Sequence, residues 1–166
     1  MFEKRKYLLI IFFVVLPLTA SGTAAQKADL VLVIKSKEKL LLKKGDNVIK
    51  EYNVVFGANP VGHKEREGDQ RTPEGKYYLD YKKADSAFYK AIHISYPNET
   101  DRRRAQEKGV DPGGQIMIHG QKNGYGWMAP MMQTINWTDG CIAVSNRDMD
   151  EIWRAVDVGV PIVIRP

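Results

Sequence analysis

The residues best suited to chemistry in this 166-residue chain are one thiol and one imidazole, each beside a glycine. Cys141, the only cysteine, lies in TDGCIAV, and His119 lies 22 residues earlier in IMIHG. A thiol with a pKa of about 8.5 is only a few per cent ionised at neutral pH, and a neighbouring imidazole raises that fraction. The glycines let backbone N–H groups approach a reacting carbonyl, as an oxyanion hole requires. The pair suits nucleophilic acyl transfer, and a packed core thiol is the open alternative.

Both residues lie at the ends of predicted strands, and strands dominate the rest of the chain. Aliphatic and β-branched residues predict three strands in DLVLVIKSKEKLLLKKGDNVIKEYNVVFG. Further strands are predicted in KYYLDYKK, FYKAIHISY, GGQIMIHG and GVPIVIRP, and CIAV is a short apolar segment. NETDRRRAQEKGV and RDMDEIWRAV are predicted to be short helices, the second of them N-capped by Asn146. About seven strands and two short helices, without βαβ alternation, predict a mainly β domain in which His119 and Cys141 lie on neighbouring strands.

The first 25 residues have the pattern of an export signal. A basic stretch at residues 4–6 precedes an apolar run at 7–18, and Thr23-Ala24-Ala25 supplies the small residues that a signal peptidase reads. The run, about 12 residues long, is shorter than the ~20 residues that span a bilayer as a helix. We expect a signal peptide at 1–25 and one domain at 26–166, exported to the periplasm or cell-wall space. An uncleaved N-terminal anchor is the alternative.

The composition of residues 26–166 limits the kinds of molecule that the domain is expected to bind. These 141 residues suffice for one domain with its own core, and 22 basic residues against 19 acidic ones give a mild positive excess. That positive excess suits binding to an anionic polymer, although a net charge of this size is also common on proteins without such a partner. No basic stripe indicates nucleic acid, and no histidine or cysteine spacing matches a zinc site. We expect no metal and no cofactor, and membrane contact only through an uncleaved signal segment.

The motifs around the thiol and the imidazole resemble those of a known family. IMIHG, an intervening loop and TDGCIAV are similar to the His-Gly and Ser/Thr-x-Gly-Cys signatures of the L,D-transpeptidase catalytic domain (YkuD-like). DQRTPEGKYYL resembles its Thr-Pro-x-Gly strand entry, and VGVPIVIRP resembles its closing strand. The resemblance covers residues 28–166 and implies a mainly β, compact, sandwich- or barrel-like domain with two short helices. It also implies an enzyme that acts on peptidoglycan stem peptides through a cysteine thioester, in cell-wall cross-linking or remodelling.

The resemblance assigns roles by position in the motifs. Cys141 would be the nucleophile and His119 the base that takes its proton, while the main-chain carbonyl of Gly120 would orient the imidazole. The N–H groups of Gly140 and Cys141 would hold the oxyanion. An amine acceptor would resolve the thioester into a cross-link, and water would give simple cleavage.

Two positions depart from the family pattern. Asp139 stands where many members have a histidine before the Gly-Cys pair, and Ala143 stands where many have arginine or asparagine. Donor recognition and the choice between amine and water therefore stay open. Asp139 is a candidate to bind the acceptor ammonium or the imidazolium, and a solvated loop carboxylate is the favoured alternative. Thr138, Arg103 and Trp127 are further candidates for substrate binding.

The sequence also suggests roles for the two remaining histidines and for the loop between the two motifs. We expect His93 to be a sheet histidine satisfied by a neighbour, and His63 to be solvated in a polar loop. The Trp and Met residues of 127–137 form either a lid over the site or packing beneath a long loop.

Two other functions stay open beside transpeptidation. One is a hydrolase of the L,D-carboxypeptidase or amidase type that acts on the same peptides. The other is a catalytically silent peptidoglycan-binding module, which needs neither the thiol nor the imidazole and is therefore disfavoured.

Overall fold

Eight strands form the framework of the computed structural model, which describes residues 26–166. They are β1 (Leu30–Ile34), β2 (Lys39–Lys44), β3 (Asn47–Asn53), β4 (Gly75–Ser86), β5 (Tyr89–Ile94), β6 (Met117–His119), β7 (Ile142–Ala143) and β8 (Pro161–Arg165). Their hydrogen-bonded order is β3-β2-β1-β8-β4-β5-β6-β7. The predicted mainly β class is confirmed, with one strand more than the sequence count. The predicted signal segment, residues 1–25, lies outside the described residues.

In the described part of the chain, three α-helices accompany the strands: α1 (Glu99–Glu107), α2 (Ala129–Met132) and α3 (Asn146–Ala155). Helix α1 begins with a capping box, in which Asn98 accepts the N–H of Asp101 and the Asp101 side chain accepts the N–H of Asn98. The prediction that Asn146 caps α3 is wrong by one position. Ser145 is the extended residue before the helix, and its hydroxyl accepts the N–H of Asp148 at 3.1 Å. The unpredicted α2 is a single short turn in the segment with little periodicity. Within residues 26–166, no helix has the length and apolar content needed to cross a membrane.

Alternating side chains on the strands build the core. Val31 and Val33 of β1, and Ile162 and Ile164 of β8, are buried on the side that faces the interior. Helix α3 adds Ile152, which is fully buried in the same cluster. The site described below therefore rests on a packed apolar support.

Strand β4 and the segment after β3 close the sheet on itself. The first half of β4 pairs with β8 and the second half pairs with β5 through two register shifts, so this long strand carries the sheet around a bend. Beyond the end of β3, Val55 exchanges two backbone hydrogen bonds with Ala143 of β7, at 3.0 and 2.9 Å. The two ends of the strand order thus meet, which gives the barrel-like shape that the family resemblance implied.

Candidate active site

A cleft of about 230 Å³ opens beside the ends of β5, β6 and β7. Its lining residues are Ser86, Phe88, Ala91, Gln115, Met117, His119, Trp137, Thr138, Asp139 and Cys141. The thiol and the imidazole singled out from the sequence therefore share one cavity.

Strand register places the two groups on the same face. Strands β6 and β7 run parallel, with Ile118 opposite Ile142 and His119 opposite Ala143. Cys141 precedes Ala143 by two residues and therefore points to the same side of the sheet as His119. The expectation that the two strand ends are neighbours is confirmed.

The imidazole of His119 is fixed by one hydrogen bond and two aromatic rings. Its Nδ1–H donates to the carbonyl oxygen of Gly120 at 2.7 Å, which leaves Nε2 as the unprotonated nitrogen of the neutral ring. Phe88 lies 4.7 Å and Trp137 5.8 Å from the imidazole, measured between ring centroids. Burial lowers the pKa of His119, although the bond to Gly120 opposes that change. The ring is accordingly a neutral base near pH 7 rather than an imidazolium ion.

The thiol of Cys141 is held in its protonated form. Burial raises its pKa, a hydrogen bond from the Met117 backbone lowers it, and the nearby Asp139 carboxylate raises it again. The Sγ–H donates to the carbonyl of Gln115, with Sγ and O 3.6 Å apart. The resting pair is therefore a neutral thiol and a neutral imidazole rather than a thiolate–imidazolium ion pair.

The turn that carries the thiol is held by Thr138. Its hydroxyl donates to the Cys141 carbonyl at 2.8 Å and accepts the N–H of Gly140 at 3.2 Å. Gly140 has a φ of +121°, and a Cβ built there would lie 2.5 Å from the carbonyl oxygen of Arg71. A glycine is therefore required at position 140 both by the backbone conformation and by the close approach of the loop that contains Arg71.

The four residues expected to bind substrate have different surroundings. Asp139 is exposed at the rim of the cleft, whereas Thr138 is only 4% exposed and its hydroxyl is used within the turn. Arg103 is exposed on α1 and is not among the residues that line the cleft. Trp127 is 77% exposed in the 3₁₀ turn Gly126–Met128 and does not line the cleft either. Of the four, Thr138 and Asp139 line the cleft, and Arg103 and Trp127 do not.

The segment between the histidine and the cysteine contributes Trp137 to the cleft. Trp137 also borders a neighbouring apolar cavity of about 290 Å³, together with Met128, Met132 and three residues of 121–125. Met128 and Met132 line only this second cavity, whereas Trp137 forms a wall of both. Phe88, the second ring against the imidazole, lies in the β4–β5 turn and had no distinguishing sequence signal.

The other two histidines have structural partners. His93 Nδ1 lies 2.6 Å from Asp80 Oδ1, which confirms that a neighbour satisfies this sheet histidine. The expectation that His63 is merely solvated is wrong. Its Nδ1 accepts the N–H of Glu74 at 3.0 Å, and its Nε2–H faces Asp101 Oδ1 at 3.1 Å, so it ties the loop to α1. Among residues 26–166, no three His, Cys, Asp or Glu side chains are grouped to hold a metal ion.

A closed, mainly β domain whose cleft pairs a thiol with a carbonyl-bound imidazole has an architecture suited to thiol-dependent acyl transfer. The chain belongs to the L,D-transpeptidase catalytic-domain (YkuD) family, whose model matches residues 28–164. The family resemblance inferred from the sequence motifs is thereby confirmed.

Individual relatives support this family at moderate identity. YafK of Escherichia coli (strain K12), assigned by name to the L,D-transpeptidases, is 32% identical over 121 residues, which are 70% of this chain and 42% of YafK. The helical cell shape determining protein Pgp2 from Campylobacter jejuni is 26% identical, with a TM-score of 0.62 over 81% of this chain and 46% of Pgp2. An L,D-transpeptidase from Xylanimonas cellulosilytica, 17% identical, shares the fold with a TM-score of 0.56 over 84% of this chain and 61% of that chain. This chain spans less than half the length of YafK and of Pgp2.

Proposed function

We propose that the protein is a cysteine-dependent L,D-transpeptidase that acts on peptidoglycan stem peptides. The observation that carries this proposal is the shared cleft of Cys141 and His119, in which the Gly120 carbonyl holds the imidazole with Nε2 unprotonated. The family supplies the substrate class, since its members attack the amide between the L-centre of diaminopimelate and the terminal D-alanine.

In the first half-reaction the acyl group moves to sulfur. Nε2 of His119 accepts the Sγ proton as Sγ of Cys141 forms a bond to the donor carbonyl carbon. The tetrahedral intermediate collapses when the carbon–nitrogen bond breaks, and the imidazolium returns its proton to the departing D-alanine amine. A thioester then links the stem peptide to Cys141.

In the second half-reaction an acceptor resolves the thioester. The amine of a second stem peptide loses a proton to His119 and forms a bond to the carbonyl carbon, and the carbon–sulfur bond breaks. Sγ recovers the proton from His119, which restores the resting pair. We assign Asp139, exposed at the rim, to the acceptor side, where a carboxylate attracts the ammonium form of the incoming amine. The ammonium loses one proton to solvent before the neutral amine attacks.

The developing oxyanion requires N–H donors beside the thiol, and we assign this role to Gly140 and Cys141. The Gly140 N–H donates to the Thr138 hydroxyl over 3.2 Å in this structure. Exchanging this neutral acceptor for a charged oxygen would give a stronger hydrogen bond, which favours the transition state over the resting state.

The sequence of residues 1–25, which precede the described domain, supports export of the protein. A basic start, an apolar run and a small-residue cleavage pattern would deliver the domain to the compartment that contains peptidoglycan. We therefore place the activity in the periplasm or cell-wall space.

Mass spectrometry of stem peptides tests the reaction and its acceptor together. Purified protein is incubated with a stem tetrapeptide, and the peptide products are weighed. Cross-linked dimers with released D-alanine are the expected result. Trimmed monomers alone would replace transpeptidation by hydrolysis of the same bond, and unchanged tetrapeptide would contradict both activities.

A further inference from the structure

The peptide group between Gly120 and Gln121 is hydrogen-bonded at both of its polar ends. Its carbonyl oxygen accepts the Nδ1–H of His119 at 2.7 Å, and its N–H donates to Oδ1 of Asn146 at 2.8 Å. Because C=O and N–H belong to one rigid plane, the bond to Asn146 fixes the direction in which the carbonyl meets the imidazole.

The side chain of Asn146 has little room to move from this position. A Cβ built at Gly120 would lie 2.6 Å from Oδ1 of Asn146, and one built at Gly126 would lie 2.8 Å from its Nδ2. The amide is therefore wedged between two backbone segments at the start of α3. Gln121 further fixes its own backbone against the segment before α3, since its buried Nε2–H donates to the Val144 carbonyl at 2.9 Å.

The bond to Asn146 also bears on the strength of the contact with the imidazole. Hydrogen bonds in a chain polarise one another, so an N–H that donates to Asn146 makes the carbonyl on the same peptide a better acceptor. This chain of hydrogen bonds therefore connects the start of helix α3 to the imidazole of His119.

We propose that Asn146 is a positioning residue for His119 and acts through the peptide group of Gly120 and Gln121. This inference rests on the proposed function of the Cys141–His119 pair. Asn146 touches neither the thiol nor the reacting carbonyl; it holds the imidazole in the orientation that presents Nε2 to the sulfur.

The test measures iodoacetamide alkylation of Cys141 against pH in the full protein and in Asn146→Ala. The wild type alkylates near neutral pH with His119 as base, and its rate falls on the acid side as the imidazole is protonated. Asn146→Ala should slow alkylation at pH 7 by roughly 10- to 100-fold, because misplacement of a reacting group by about 1 Å costs up to that factor. Its rate should instead follow the raised pKa of the thiol and climb only in alkaline solution.

Two further variants separate positioning from damage to the fold. Asn146→Asp keeps an oxygen acceptor and adds a negative charge, so it should restore alkylation and move the acid limb to higher pH. Asn98→Ala is the matched control, since Asn98 also accepts a backbone N–H at a helix N-terminus, at 3.0 Å on α1 outside the cleft. It should lower stability and leave the alkylation profile unchanged.

Each outcome of these measurements decides one of the two proposals. A wild-type profile in Asn146→Ala, or a folded Asn146→Asp whose acid limb does not shift, would overturn the role of Asn146. Should Asn146→Ala fail to fold, the Asp variant alone decides. A wild-type profile that is unaffected by His119→Ala would instead overturn the proposed function, on which this inference depends.

Discussion

His119 combines burial, which favours its neutral form, with a carbonyl contact that favours its protonated form. Burial is the larger effect, so the pKa of the imidazole lies below its ordinary 6.5. A protonated imidazole has no lone pair for the thiol proton, and activity is therefore lost as pH falls through this lowered pKa. Acylation of Cys141 by a stem tetrapeptide should show an acid limb centred below pH 6.5, followed by a plateau through neutral pH. A limb centred above 6.5 would contradict the neutral-base assignment.

Removal of the imidazole should affect rate and pH dependence together. His119→Ala should lower the acylation rate by roughly 10²- to 10⁴-fold, the usual contribution of a positioned general base. The acid limb should disappear, because no imidazole remains to titrate. A quenched-flow time course at several pH values measures both quantities, and unchanged rates would mean that His119 only packs against Phe88 and Trp137.

Asp139 has two effects that a single substitution can separate. Its carboxylate raises the pKa of Cys141, so Asp139→Asn should speed alkylation of the thiol at neutral pH. If the carboxylate also attracts the acceptor ammonium, the ratio of cross-linked to hydrolysed product should fall in the same variant. The two readouts are the alkylation rate and the product ratio by mass spectrometry. A changed rate with an unchanged ratio would remove Asp139 from the acceptor site.

At the scale of elements, the turn before β7 depends on a glycine that packs against another loop. Gly140→Ala should destabilise the fold by several kcal/mol, since strained backbone costs about 1–3 kcal/mol and forced overpacking a further 1–3 kcal/mol. The cause is the carbonyl of Arg71, 2.5 Å from the added Cβ. Urea unfolding followed by circular dichroism measures the loss.

A second glycine in the left-handed region serves as the control for this prediction. Gly45 has a φ of +57°, and a Cβ there meets nothing within 4 Å. Gly45→Ala should therefore cost only about 1–2 kcal/mol of backbone strain. Equal losses in the two variants would mean that the contact with Arg71 contributes nothing to the turn.

The sequence predicted the elements around the site better than it predicted their connections. Aliphatic and β-branched residues identified the strands, and the glycines beside His119 and Cys141 identified the strand ends that meet. The wedged Asn146 and the ring of Phe88 were not predicted, because each acts through a contact between segments that are distant in sequence. An asparagine at the start of a helix is usually interpreted as an N-cap. Only the fold shows that the side chain of Asn146 faces the Gly120 turn instead.

At the scale of the whole molecule, closure of the sheet explains why β6 and β7 can be so short. Strand β7 has two residues, yet it is held on one side by β6 and on the other by Val55 beyond β3. Ala143 is fully buried within this arrangement, and its backbone forms both bonds to Val55. Position 143, where the sequence resemblance implies arginine or asparagine in many family members, is thus part of the closure, a role that composition and periodicity do not reveal.

The proposed function requires Cys141 to carry the stem peptide as a thioester, and intact-mass analysis detects that adduct. Purified wild-type protein is mixed with a stem tetrapeptide, quenched in acid and weighed, and the adduct is then located by peptide mapping. The expected result is a mass gain equal to the tetrapeptide minus D-alanine, located on Cys141 and absent from Cys141→Ala. Release of D-alanine by Cys141→Ala at the wild-type rate, or an adduct on another residue, would contradict it.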